Sequence, residues 1–303
     1  KNNQVVLWLG NSQLHTINQM EVGEELSSYV LHGALKAKQK YLLTFSQPNA
    51  SLQEHYLLFE YLAKNLPVST LILAVVFDDM RETGLREQLI DALKNKAVTM
   101  QMKKTDIGRS LIANQGEKDA AGNDMAALND TMQRQSENYL NSKLEKVWSI
   151  WEDRPLFRGN VLGNLYLFRN WVFGITPSSE RRMIPGRYSL NISALKAMIH
   201  SANEQGINVL VYIVPLRDDV TIPYDLAQYE KFKSEVELIV DNGSAYFTNL
   251  EGLVPGSLWG KKASTTLGGE EELDFMHFKG GGHSLLAGRV FSELKGIWEE
   301  EKK

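Results

Sequence analysis

The strongest constraint on the fold is the run Val68 to Phe77, VSTLILAVVF, the most thoroughly apolar strand-length segment in the sequence. A second run, Gln4 to Gly10 (QVVLWLG), is too short for a helix and apolar on both faces. A strand with no polar face must be covered on both sides, which is the condition of a central parallel strand between two layers of helices. Tyr41 to Phe45 and Ile207 to Val214 add two more such strands, and Ala245 to Leu250 a weaker one. Helical stretches separate them: Glu24 to Lys40, Leu52 to Leu66, one running through Leu93, Ser189 to Gln205, and a last one from Gly282 to Glu299. Strands alternating with helices in this way predict an α/β fold with a mostly parallel sheet. Ligands in such sheets bind outside the carboxyl ends of the strands, where Ser12, Asn49, Asp78 and Pro215 fall.

Between the third and fourth strands more than a hundred residues depart from this repeat. Gln115 to Asp130 is polar, Thr131 to Asp153 has the pattern of an amphipathic helix, and Phe157 to Ile175 is rich in aromatics and arginine. The expected organisation is a single domain over 1–303 with an insertion at about 95–188. That insertion forms a helical cap, an interaction surface, or a helix packed on the sheet.

Composition narrows the function. The formal net charge is −4 and no stretch concentrates basic residues, so the footprint of a nucleic-acid binder is missing. The chain has no cysteine, which removes disulfides, thiolate metal sites and cysteine nucleophiles. The histidines are scattered without a metal-binding spacing, and Gly280-Gly-Gly282 lacks the Lys-Ser/Thr of a phosphate loop, so no metal or cofactor is expected. No window has the apolar length of a membrane span. The chain begins close to a strand and without an initiator Met, which suggests a leader, anchor or longer N-terminal part before Lys1.

Near the other end stands Leu273-Asp274-Phe-Met-His277, expected on a loop before the last helix. An aspartate three residues before a histidine can hold the imidazole Nδ1 and leave Nε2 free to accept a proton. The natural nucleophile for that pair is Ser12, delivered from the first strand onto a turn opened by Gly10. Ser12 also has a plain alternative as a helix N-cap, and Asp78 and Asp79 as helix-start carboxylates. His283 is the alternative base, and His15 lies close enough to Ser12 in sequence to line the pocket.

Gly10-Asn-Ser12 after the first strand, a polar turn after the second, a polar pair after the third and Asp274-x-x-His277 before the last helix resemble, in order, the four blocks of the SGNH (GDSL-type) hydrolase superfamily. The resemblance implies a flavodoxin-like α/β/α sandwich and a catalytic set of Ser12, His277 and Asp274. It also implies an oxyanion hole made by the Ser12 N–H, the N–H of a block-two glycine and a block-three asparagine side chain. Here Asn49 occupies the glycine slot and Asp78 the asparagine slot. A carboxylate would repel a developing oxyanion, so Asp78 must be protonated, turned away or paired with Arg81.

The Tyr212-Ile-Val-Pro215-Leu-Arg217 segment and the long insertion are similar to a subset that modifies cell-surface polymers, including the DltD protein of lipoteichoic acid D-alanylation and the alginate O-acetyltransferases. That likeness implies an acyl-ester or polysaccharide substrate, a membrane-bound acyl-donor partner, and a periplasmic or extracellular location, with a cytoplasmic one left open. Two functions follow from the sequence: a serine esterase or O-acyltransferase, or a non-catalytic assembly module that keeps the fold. Oligomeric state is left open.

Overall fold

A computed structural model describes residues 4–114, 179–264 and 270–300. Five strands, β1 (Gln4–Gly10), β2 (Lys40–Ser46), β3 (Val68–Val75), β4 (Asn208–Ile213) and β5 (Tyr246–Asn249), form one sheet in the order β2-β1-β3-β4-β5. All four pairings are parallel. This is the flavodoxin-like strand order, and its switch point lies at the carboxyl ends of β1 and β3.

The two apolar runs take the centre of the sheet because only there are both faces covered. Val6, Trp8, Ile72, Ala74, Leu210 and Tyr212 join one core with α1 (Ser27–Lys36) and the last helix, α6 (Gly280–Glu300). The alternate residues Leu7, Leu9, Leu71, Leu73, Val209 and Val211 point to the opposite face and are equally buried. That side holds α2 (Leu52–Asn65), α3 (Lys96–Met102), α4 (Pro185–Glu204) and α5 (Leu226–Asn242). The result is an α/β/α sandwich. Trp8 and Tyr212, both fully buried, satisfy each other through a 3.1 Å bond from the indole Nε1 to the phenol oxygen.

Several expectations change in detail. The stretch after Asp78 is not one helix through Leu93 but a 3-10 turn, Asp79–Arg81, then a single α-helical turn, Glu87–Ile90, that runs into a second 3-10 turn, Asp91–Lys94. Gly84 between them has φ +86°, a left-handed conformation that ends a helix. Helix α5, capped by the Asp225 side chain on the Gln228 N–H, was not anticipated from the sequence. Nor was a two-stranded antiparallel ribbon, β6 (Trp259–Lys262) with β7 (Glu272–Phe278).

Contacts divide the chain into two units. One comprises Lys1–Leu111, Pro177–Lys262 and Glu272–Lys303, and the other Ile112–Thr176 and Ala263–Glu271. The sheet unit therefore takes in both flanks of the expected 95–188 insertion: Val98 and Met102 of α3 are fully buried within it. The polar stretch, long helix and aromatic segment expected between Gln115 and Ile175 lie outside the described residues.

Candidate active site

At the end of β1 the chain turns sharply. A Cβ on Gly10 would stand 2.5 Å from Leu14 Cδ1 and 3.2 Å from Ala74 Cβ, so glycine lets the following 3-10 turn, Ser12–Leu14, fold back against β3. The cap of that turn is Asn11, whose Oδ1 accepts the Gln13 N–H at 3.0 Å. Ser12 is thus spared the capping role considered from the sequence, and its hydroxyl turns elsewhere. It lies 2.9 Å from His277 Nε2.

His277 and Asp274 come from the ribbon, and the expectation of a plain loop is corrected: both lie in β7. Lys261 pairs with Leu273 and Trp259 with Phe278, so β7 advances five residues while β6 advances two. The excess, Asp274 to His277, bulges out of the ladder, a device that re-aims side chains. Asp274 Oδ1 closes the bulge by accepting the N–H groups of Met276 at 2.8 Å and His277 at 3.1 Å. Its other oxygen lies 2.8 Å from His277 Nδ1. A carboxylate there accepts the Nδ1 proton, which leaves the Nε2 lone pair facing the Ser12 hydroxyl. Burial opposes ionisation of Asp274. The hydrogen bond and charge of His277, with the two backbone N–H groups, outweigh it and hold the carboxyl below its usual range.

Three further side chains fix this arrangement, and of them only Arg217 stood in a segment that the sequence singles out. Asn18 Nδ2 donates to Asp274 Oδ2 at 2.9 Å, and Asn18 packs so closely on Gly260 that any Cβ there would displace it. Buried Arg217 reaches from the segment after β4 to the carbonyls of Gly260 and Asp274, each at 3.1 Å, while Asp219 takes its other edge. Gln13 ties the nucleophile turn to both neighbours, donating to the carbonyls of Pro215 at 3.1 Å and Met276 at 3.3 Å.

The expected oxyanion residues fall in different surroundings. The turn after β2 is bound to the end of β1 by the Gln47 N–H on the Gly10 carbonyl, 3.1 Å, and clamped by Arg86, which donates to Gln47 Oε1 and the Pro48 carbonyl. Asn49 within it has φ +52°, backbone that suits glycine and that asparagine tolerates better than most residues. Asp78 faces donors: Arg181 Nη1 and the Tyr224 hydroxyl, the latter at 3.1 Å, both on Oδ2, with Arg81 Nη1 3.6 Å from Oδ1. The pairing expected with Arg81 exists, and Arg181 and Tyr224 hold Asp78 more closely. Asp79, buried and bonded by Asn11 Nδ2 at 3.3 Å, has its carboxyl pushed well up by burial and by the Asp78 charge.

His283 is corrected as an alternative base. It is fully buried, its Nε2 donates to the Thr16 carbonyl at 3.0 Å, and its Nδ1 accepts the Ser27 N–H at 3.2 Å. With both nitrogens committed to backbone and burial lowering its pKa to about 4, it is a structural histidine that joins α6 to the start of α1. His15 is exposed, with Nδ1 2.9 Å from Ser46 Oγ at the end of β2. Among the described residues no cluster of His, Asp and Glu could hold a metal ion, and no helix is long and apolar enough to cross a membrane.

No family model and no curated protein matches the sequence. Solved structures with a similar course of chain include a candidate acylhydrolase from Bacteroides fragilis, 9% identical with a TM-score of 0.45 over 98% of this chain and 89% of that one. An alpha/beta hydrolase from the metagenome of Lake Arreo, Spain, is 8% identical with a TM-score of 0.47, covering 96% and 94%. A GDSL-like lipase from Bacteroides thetaiotaomicron is 9% identical with a TM-score of 0.41, covering 97% and 89%.

Proposed function

We propose that the chain is a serine ester hydrolase or O-acyltransferase of the SGNH type, working through an acyl-enzyme. The observation that carries this reading is the unbroken relay Ser12 Oγ to His277 Nε2, 2.9 Å, and His277 Nδ1 to Asp274 Oδ2, 2.8 Å. In the cycle, Ser12 Oγ attacks an ester carbonyl as its proton passes to His277 Nε2, and Asp274 stabilises the imidazolium. The tetrahedral intermediate places its oxyanion towards the N–H groups of Ser12 and Asn49. It collapses as His277 returns the proton to the leaving alkoxide. Water or an acceptor hydroxyl then attacks the acyl-Ser12 ester and loses its proton to His277, which hands it to Ser12 Oγ as the serine leaves. Hydrolysis and transfer differ only in that second nucleophile.

For the substrate, we infer an acylated carbohydrate or cell-surface polymer on the exported side of a membrane, served by a membrane-bound acyl donor. The support is the likeness of the Tyr212–Arg217 segment and the long insertion to proteins of that kind. The competing reading is a non-catalytic assembly module, favoured by Asp78 in a slot where a donor is expected.

Wild type, Ser12→Ala and His277→Ala incubated with p-nitrophenyl acetate, and with a fluorophosphonate probe followed by peptide mapping, separate the two. The enzyme reading expects turnover and labelling at Ser12 that both variants lose. Unlabelled Ser12, or equal rates in wild type and Ser12→Ala, leaves the assembly module. Adding an acceptor polysaccharide to the same assay then reads transfer against hydrolysis.

A further inference from the structure

We propose that Arg181, held by Asp78, is a third electrophilic group of the site and contacts the oxyanion formed at the ester carbonyl. The proposal rests on Ser12 being the nucleophile. Asp78 stands at the carboxyl end of the central strand β3, one residue before Asp79, and Asp79 is bonded to Asn11, the neighbour of Ser12, at 3.3 Å. A lone carboxylate so placed would oppose any negative charge growing on a Ser12 adduct. It is not alone. Arg181 Nη1 and the Tyr224 hydroxyl both bind Oδ2, and Arg81 Nη1 lies 3.6 Å from Oδ1. Two guanidinium groups, of Arg181 and Arg81, thus flank the one carboxylate and offset its charge.

Arg181 is also fixed in place by its backbone. Its N–H donates to the Pro223 carbonyl at 2.9 Å, its carbonyl accepts the Asp225 N–H at 3.1 Å, and it forms a parallel bridge with Tyr224, the residue whose hydroxyl shares Asp78. The Asp78 and Arg181 side chains are 19% and 25% exposed, so the pair is partly shielded from solvent without being sealed from a substrate. A guanidinium has five N–H donors in a rigid fork, and binding one carboxylate oxygen through Nη1 leaves the rest of the fork to serve a second anion. Asp78 thus orients the arginine, and the arginine does what a carboxylate cannot.

The test compares kcat and KM for p-nitrophenyl acetate, and the rate of fluorophosphonate labelling, in the full chain and in Arg181→Ala, Arg181→Lys and the double variant Arg181→Ala/Asp78→Asn. Arg181→Ala is expected to lower kcat and the labelling rate about 100-fold, the effect of losing one oxyanion donor, with KM nearly unchanged. Arg181→Lys keeps the charge but not the fork, and its loss is expected to be about tenfold; it also serves as the readout if thermal melting shows that Arg181→Ala does not fold. The double variant is expected to recover at least about tenfold over Arg181→Ala, because an asparagine at 78 offers an amide donor and removes the negative charge. Full activity in the arginine variants, a loss confined to KM, or no recovery in the double variant overturns the proposal. Failure of the Ser12 reading shows up separately, as undiminished activity in Ser12→Ala.

Discussion

Asp274 illustrates how much a single carboxylate is asked to do. One oxygen closes a strand bulge through two backbone N–H groups, and the other receives His277 and Asn18. Removing Asn18 leaves that second oxygen with the imidazole alone, free to swing and so to misdirect Nε2. A hydrogen bond to a buried charge contributes about 1.5–3 kcal/mol, so Asn18→Ala is expected to lower kcat on an activated ester about 10- to 100-fold with KM almost unmoved. A kcat equal to wild type in that steady-state assay would show that the bulge alone orients Asp274. Ser12, Asp274 and His277 were legible in the sequence because each belongs to a local pattern: a strand that ends in glycine, and an acid three positions ahead of a base. Asn18, Arg181 and Tyr224 were not. They meet their partners across 256, 103 and 146 positions, and no spacing within their own segments marks them.

At the level of elements, the same contrast follows from what each strand has to bury. Strands β1, β3 and β4 are apolar on both faces and announced themselves; the ribbon β6–β7 is short, carries Lys261, Lys262, Glu272 and Asp274, and shows neither period. Helix α5 did carry a signal, since Tyr229, Phe232, Val236, Ile239 and Val240 are buried at helical spacing, but its many charged positions dilute it. The register that matters most for chemistry is set where β1 meets its 3-10 turn. Gly10→Ala places a methyl group against Leu14 Cδ1, and overpacking of this kind costs about 1–3 kcal/mol. The expected outcome is a lower denaturant midpoint together with slower fluorophosphonate labelling of Ser12, because relief of the clash must move the turn that carries it. A variant that loses stability while labelling at the wild-type rate would show that Leu14 yields and the nucleophile stays put.

For the molecule as a whole, buried titratable side chains couple folding to pH in opposite directions. His283, between α6 and the start of α1, and His55, in α2, are both lowered from 6.5 to about 4 by burial. Between those two values the unfolded chain binds more protons than the folded one, so stability rises with pH across that window and is lost on acidification. Glu60, also in α2, is fully buried, and burial outweighs the Ser201 hydroxyl and the lysines nearby to raise its carboxyl from 4.5 to about 7. There the folded state binds the extra proton, so the contribution of Glu60 is complete below 4.5 and disappears as pH climbs through 7. The two histidines therefore favour folding as pH rises from about 4 to 6.5, and Glu60, joined by Asp79, whose carboxyl burial also raises, opposes them. Glu60→Gln isolates the Glu60 part of that opposition. The amide is neutral at every pH, so the variant is expected to gain stability relative to wild type between about pH 5 and pH 8, by at most about 3 kcal/mol. Thermal melts of both proteins at those two values measure the gain directly. A difference between wild type and variant that is the same at both would mean that Glu60 does not change protonation with folding.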